Sequence, residues 1–302
     1  MRRLAPLVAF VLVVAVAVAV VVLATGDDAD EGEPRAAACA KVDEPQQGLM
    51  DAYSSAGPFP ARQAPGDPPA SVAVEVPPID FSGAGRTPTL PVGPCQYIYR
   101  FRYPEVRAPA GAAPSPFSYV EVDWNTEGMP RGPNGSFASP HFDFHFYLRT
   151  RAEVDRTTEC VLSSNGKTCD ALKTPYAQMR RFLDMPPARL VPDGYRPDVD
   201  SSIPEMGLHL LDMTLPYTVE KVNHYPVLIY GTFDGEILFA EASVTLFTLQ
   251  DAMAAPGHAV TFPFRQPPEA PADRPWPTRF AIRYVPRTRT FRVGLEDLRP
   301  AR

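Results

Sequence analysis

The chain has 302 residues, with 29 Lys and Arg against 35 Asp and Glu, for a net charge of −6. That balance excludes a broad nucleic-acid-binding surface, which needs clustered positive charge to release phosphate counterions. Proline is abundant at 37 residues, which excludes a long helical bundle, yet Pro and Gly together stay under a fifth of the chain, which excludes collagen and wholesale disorder.

Met1-Arg2-Arg3 precedes an uncharged run of mostly Val, Ala and Leu from Leu4 to Ala24. As a helix rising 1.5 Å per residue, this run spans roughly 30 Å, the thickness of a bilayer's hydrocarbon. Arg2 and Arg3 lie before it, and Asp27, Asp28, Asp30, Glu31 and Glu33 follow it. The positive-inside rule then leaves the first residues in the cytoplasm and the rest outside. Residues 1–25 are expected to form a single-pass signal-anchor in the cell membrane. Val22-Leu23-Ala24 also offers a cleavage point, which would make the product secreted.

Four cysteines, Cys39, Cys95, Cys160 and Cys169, with no C-x-x-C pair, fit two disulfides in an oxidising compartment. Of the three connectivities, Cys160–Cys169 and Cys39–Cys95 are favoured. The first closes a short loop over the turn sequence Ser163-Ser164-Asn165-Gly166, and the second would pin the leader to the domain.

Between Pro34 and Pro94 there are 12 prolines, interrupted by one strand-like segment, Ser71–Val76. Residues 26–94 are expected to be an extracytoplasmic linker or surface wrap, because prolines favour extended geometry and remove amide donors. Residues 95–302 then form the folded domain. Short alternating segments separated by turn residues predict strands at Gln96–Tyr103, Phe117–Trp124, His141–Arg149, Met206–Asp212, Val227–Gly231, Glu236–Leu249, Ala259–Phe264, Thr278–Val285 and Thr290–Leu295. Asp234-Gly235 marks a hairpin turn. One helix is predicted after Pro175, with Tyr176, Met179, Phe182 and Leu183 on its buried face, ending before Pro186-Pro187. The fold class is therefore all-β, an antiparallel barrel or sandwich with one short helix.

The segment His141-Phe142-Asp143-Phe144-His145-Phe146-Tyr147-Leu148 separates at period two. Phe142, Phe144, Phe146 and Leu148 fall on one face, and His141, Asp143, His145 and Tyr147 on the other. Solvated strand faces usually carry Lys, Glu, Thr and Arg, so a His-Asp-His-Tyr row points to a lined cavity. His141 and His145 are about 13 Å apart along a strand, too far to share an ion, whereas Asp143 lies about 6.6 Å from either. A third ligand is sought in Glu205-Met206-Gly207-Leu208-His209, where Gly207 would leave room close to the sheet. Asp143, His145 and His209 make a two-histidine, one-carboxylate set of the kind that holds Fe(II), or a zinc site with an open position. Glu241 is a candidate fourth ligand or general base, and His141, His145, Glu205 and Glu241 are candidates for contacting a small polar ligand. The plainer alternative is that these groups simply hydrogen-bond one another. No H-E-x-x-H, G-x-S-x-G, P-loop or C-x-x-C motif is present, so no reaction is fixed. Arg279, Arg283, Arg287, Arg289 and Arg292 are expected to form a solvated strand face, and His224 and His258 to lie in surface loops.

The succession His141-Phe-Asp-Phe-His-Phe-Tyr147, Glu205-Met-Gly-Leu-His209, Tyr230-Gly and Asp234-Gly-Glu-Ile-Leu-Phe-Ala-Glu241 resembles an uncharacterised bacterial family of extracytoplasmic β-domains, typified by a stress-sigma-factor-regulated thermophile protein. The resemblance covers Gln96 to Gln250. It implies a β-barrel-like domain that self-associates, with no assigned reaction. Pro-Met follows the matching glutamate in that family, where this chain has Ala242-Ser243.

Together these features lead to an expectation of a membrane-anchored extracytoplasmic β-domain, homo-oligomeric, with no nucleic-acid partner. Its polar pocket would take a divalent transition metal or a small polar ligand. The alternatives are a metal-dependent envelope enzyme built on the same residues and a self-associating envelope protein without a site.

Overall fold

Period-two alternation builds two antiparallel sheets. In the computed structural model the described residues are 62–63, 71–76, 78–79, 98–103, 116–125, 128, 137–157, 160–164, 168–269 and 275–300. The strands are β1 (Arg62–Gln63), β2 (Val72–Val76), β3 (Ile98–Tyr103), β4 (Tyr119–Asn125), β5 (His141–Tyr147), β6 (Tyr195–Ile203), β7 (Gly207–Asp212), β8 (Val227–Phe233), β9 (Glu236–Thr245), β10 (Ala259–Pro263), β11 (Pro275–Trp276), β12 (Arg279–Val285), β13 (Thr290–Glu296) and β14 (Arg299–Pro300). One sheet has five strands in the order β1-β2-β13-β12-β10, and the other has seven in the order β3-β4-β5-β9-β8-β7-β6; β11 and β14 pair separately.

Val120, Val122 and Trp124 of β4, Phe142, Phe144 and Phe146 of β5, and Ala240, Ala242 and Val244 of β9 all turn to one face of the seven-stranded sheet. There they meet Val72, Val74 and Val76 of β2, Phe280 and Ile282 of β12, and Phe291, Val293 and Leu295 of β13 in a single apolar cluster. Each phenylalanine buried there contributes about 1.5–3 kcal/mol of hydrophobic stabilisation. The architecture is a sandwich, not a barrel: each sheet keeps two edges, and no pairing closes either one among the described residues.

The segment 71–76 belongs to this core and not to a linker. Its prolines flank the strand without interrupting it, so Val72, Val74 and Val76 bury one face while the backbone pairs with β13. Among the described residues there are four α-helices where one was expected in the domain: α1 (Arg151–Val154), α2 (Tyr176–Leu183), α3 (Val219–His224) and α4 (Leu246–Ala254). The predicted helix after Pro175 is α2, but it buries only Met179 and Phe182, leaving Tyr176 and Leu183 exposed. The long predicted strand from Glu236 stops at Thr245, whose hydroxyl accepts the Thr248 amide and caps α4. Strand β6 was not expected, because Pro197 and the polar run Asp198–Ser202 obscure its alternation; it lies at a sheet edge, where a proline is tolerated.

Cys160 and Cys169 form a disulfide, with their Cα atoms 5.6 Å apart. Cys39, Cys95, the apolar run Leu4–Ala24 and most of the proline-rich segment lie outside the described residues. No helix among the described residues is long and apolar enough to cross a membrane.

Because β2 supplies three buried valines and covers the edge of β13, a polypeptide of residues 95–302 is expected to lose several of the 5–15 kcal/mol that usually separate folded from unfolded domains. In urea unfolding it should show no cooperative transition where residues 60–302 show one. Equal midpoints for the two would contradict the placement of β2.

Candidate functional site

The opposite face of the seven-stranded sheet carries the polar residues, and the register sets them in three rows. Glu121, His145 and Glu241 are direct cross-strand neighbours, as are Asp123, Asp143 and Ser243, and Asn125, His141 and Thr245. An outer sheet face is normally wet, yet none of these nine residues is more than 4% exposed. Two apolar clusters flank the rows. Tyr119, Tyr147, Met179, Phe182, Met206 and Phe239 lie on one side, and Phe137, Leu211, Tyr217, Val222, Val227 and Ile229 on the other. Four carboxylates and two imidazoles are thus held in a low-dielectric layer, where each charge needs a partner.

A third imidazole joins from β7. His209 stands opposite Gly231 of β8, which in turn stands opposite Phe239 of β9. Gly231 has no side chain, and a Cβ there would lie 2.1 Å from the Phe239 ring, so the ring occupies that space. The same ring meets His145 edge-on at 5.0 Å and His209 at 5.7 Å between centroids. Gly207 opens β7 with φ at +72°, and a Cβ would lie 2.1 Å from the Thr232 carbonyl oxygen. The space expected there for a ligand is taken by the neighbouring strand's backbone.

His145 Nε2 lies 3.5 Å and His209 Nε2 3.6 Å from the same atom, Glu241 Oε2, which accepts no hydrogen bond. The ligand atoms of His145, His209 and Glu241 all fall within 4.8 Å of one another. The Nδ1–H of His209 donates to the Ser201 carbonyl at 2.8 Å, which leaves the Nε2 lone pair of the neutral ring facing Glu241. Burial holds the His209 pKa below the usual imidazole value. Glu241 is pushed well above the usual carboxylate range by burial, and further by the charges of Asp143 and Asp123. A lone pair aimed at a carboxylate oxygen in a dry layer is repulsive unless a proton or a cation lies between them. Donors bonded tetrahedrally at about 2.0–2.2 Å from a metal stand about 3.3–3.6 Å apart, which matches both His–Glu separations.

Asp143 is differently engaged. Asn125 and Ser243 donate hydrogen bonds to its two oxygens, and His141 Nε2 lies 3.5 Å from Oδ2. Burial alone would raise its pKa, but the His141 and His145 charges and the Ser243 hydroxyl outweigh it and hold the carboxyl below its usual range. For His141 burial acts downward, and Asp143 together with the Ser139 carbonyl, an acceptor at 2.7 Å, reverses it so that the pKa is raised. Of the expected ligand set, then, His145 and His209 stand together with Glu241, while Asp143 faces His141, Asn125 and Ser243. Ser243 also reaches Glu241 Oε1 at 3.4 Å, so it joins the two carboxylates. Glu205 lies in the turn before β7 with φ at +66°, and its carboxylate pairs with Arg151 at 3.3 Å.

The β4 contribution was not expected. Tyr119-Val-Glu-Val-Asp-Trp-Asn125 alternates just as β5 does, and that alternation was the available signal for Glu121, Asp123 and Asn125. The predicted solvated arginine face is partly engaged, since Arg283 donates twice to Glu296 at 2.7 Å. Comparison with known protein families, curated proteins and solved structures gives no match to this chain.

The contact between Gly231 and Phe239 yields a test of how the imidazoles are held. Gly231→Ala must displace the Phe239 ring, an overpacking change expected to cost about 1–3 kcal/mol in urea unfolding and to shift the His145 and His209 ring resonances in NMR spectra. Unchanged stability and unchanged ring shifts would show that Phe239 does not position them.

Proposed function

We propose that this protein binds one divalent transition metal ion through His145 Nε2, His209 Nε2 and the Glu241 carboxylate, in a β-domain held outside the cytoplasm by the Leu4–Ala24 helix. The carrying observation is the convergence of two imidazole nitrogens on one buried carboxylate oxygen at 3.5 and 3.6 Å. Two nitrogens and one oxygen suit Fe(II) or Zn(II) and leave a coordination position open. The Ser201 carbonyl orients the His209 ring in the way second partners of metal-bound imidazoles commonly do. Asp143 acts behind Glu241 as its hydrogen-bonded support, both directly and through Ser243.

The acidic flank after Ala24, the disulfide and the resemblance to extracytoplasmic β-domains support the location, and that resemblance also supports self-association. No reaction is assigned. One observation favours a purely structural role: Asp143 is already satisfied by Asn125 and Ser243, and a protonated Glu241 could donate to a histidine with no ion present.

Elemental analysis of untagged protein decides between the two. Near-stoichiometric metal is expected, lost in His209→Ala and Glu241→Gln. Asp143→Asn should retain metal with affinity weakened about 10–100-fold, as for an outer-shell partner. No metal in the wild type, or complete loss in Asp143→Asn, would contradict the assignment. At a free metal concentration about 100 times Kd, the protein should gain about 2.7 kcal/mol of stability.

Because the ligands bind in their deprotonated forms and burial raises the Glu241 carboxyl well above its usual range, metal binding should release protons and weaken as pH falls. Titration of Co(II) affinity against pH measures this, and an affinity independent of pH through the range where carboxylates and imidazoles titrate would contradict Glu241 as a ligand.

A further inference from the structure

We propose that Arg151 is the gate and positioning residue of the metal site, and that an ion reaches His145 and Glu241 by displacing its guanidinium from Glu121. This rests on the metal assignment above. Arg151 is the first residue of α1, and its Nη1 lies 3.1 Å from Glu121 Oε2. Its Nη2 lies 2.6 Å from Asp155 Oδ1 and 3.3 Å from Glu205 Oε2. Side-chain exposure rises in steps along this cluster: 0% at Glu121, 20% at Glu205, 29% at Arg151 and 51% at Asp155. The cluster is therefore a graded path of carboxylates from solvent to the buried rows.

The inner end of the path adjoins the ligands. Glu121 is the direct cross-strand neighbour of His145, and His145 of Glu241. Glu205 lies in the turn that leads into β7 and His209. One guanidinium thus ties β4, next to the strand of one histidine, to the turn that precedes the other. A planar fork with several fixed donors can bridge three carboxylates at once, which a lysine ammonium holds less rigidly.

The exchange is electrostatically continuous. A bare carboxylate as buried as Glu121 is costly, and the guanidinium supplies its counter-charge. An incoming divalent cation supplies the same charge as the guanidinium leaves, so Glu121 is never left unpaired. A neutral molecule would supply none, so the path selects for cations.

The test follows Co(II) uptake by the full-length protein, and its release to EDTA, through visible absorption. In Arg151→Lys both rates should rise about five- to tenfold while Kd stays within about twofold, since loosening a gate speeds passage in both directions. Arg151→Gln keeps all three carboxylates of the path and a neutral donor beside Glu121, and should act in the same direction; it decides the outcome if Arg151→Lys does not fold. Unchanged rates in Arg151→Gln, or faster release with unchanged uptake, would make Arg151 a strut and overturn the proposal. If the wild type takes up no Co(II), the metal assignment falls and the gate with it. If it binds Co(II) and only the rates fail to move, the gate alone falls.

Discussion

The rest of the structure depends on one constraint: the strict two-residue period of β5 at the centre of the seven-stranded sheet. Three phenylalanines on its inner side fix the sheet against the five-stranded one, and no slip of a single residue is tolerated, because it would drive His141, Asp143 and His145 into that core. With β5 fixed, hydrogen bonding to β4 and β9 aligns Glu121 and Glu241 on either side of His145. The apolar core thereby sets the geometry of the polar layer.

That polar layer is unusual in its charge. Glu121, Asp123, Asp143 and Glu241 are all buried, and Arg151 is the guanidinium that reaches Glu121 from the surface. Burying carboxylates is tolerated only where protons, hydrogen bonds or cations compensate, and each means is used here. Against burial, the His141 and His145 charges and the Ser243 hydroxyl hold the Asp143 carboxyl below its usual range, whereas Glu241, beside the two Nε2 atoms, is driven toward its neutral form by burial. The same neighbourhood that disfavours a bare Glu241 carboxylate favours a divalent cation beside it, which links the electrostatics to the metal assignment without any appeal to resemblance.

Much of the fold was legible in the sequence because alternation survives in most strands, β5 and β12 among them. It failed where another physical effect won. Thr245 could cap a helix as readily as continue a strand, and the strand-like Ser71–Val76 was assigned to the linker because of the prolines around it. For the candidate site, β5 and the Glu205–His209 segment supplied the two imidazoles that converge, His145 and His209, but Asp143 was taken as their carboxylate and Glu241 only as a fourth group. Asp143 shares a strand with His145 and looked nearest, yet residues two apart on one strand are parallel neighbours, whereas Glu241 lies directly across the ladder. Only the pairing of β5 with β9 brings it there. Ser243, noted as a departure from the resembling family, turns out to join Asp143 to Glu241. The β4 row was legible in principle, since it alternates as β5 does.

The most direct measurement is anomalous diffraction at a metal absorption edge, from crystals of protein supplied with Co(II) or Zn(II). The account predicts one strong peak about 2.0–2.2 Å from His145 Nε2, His209 Nε2 and a Glu241 oxygen, with Asp143 outside bonding distance. A peak bonded to Asp143 in place of Glu241, or no peak in this layer at all, would contradict it.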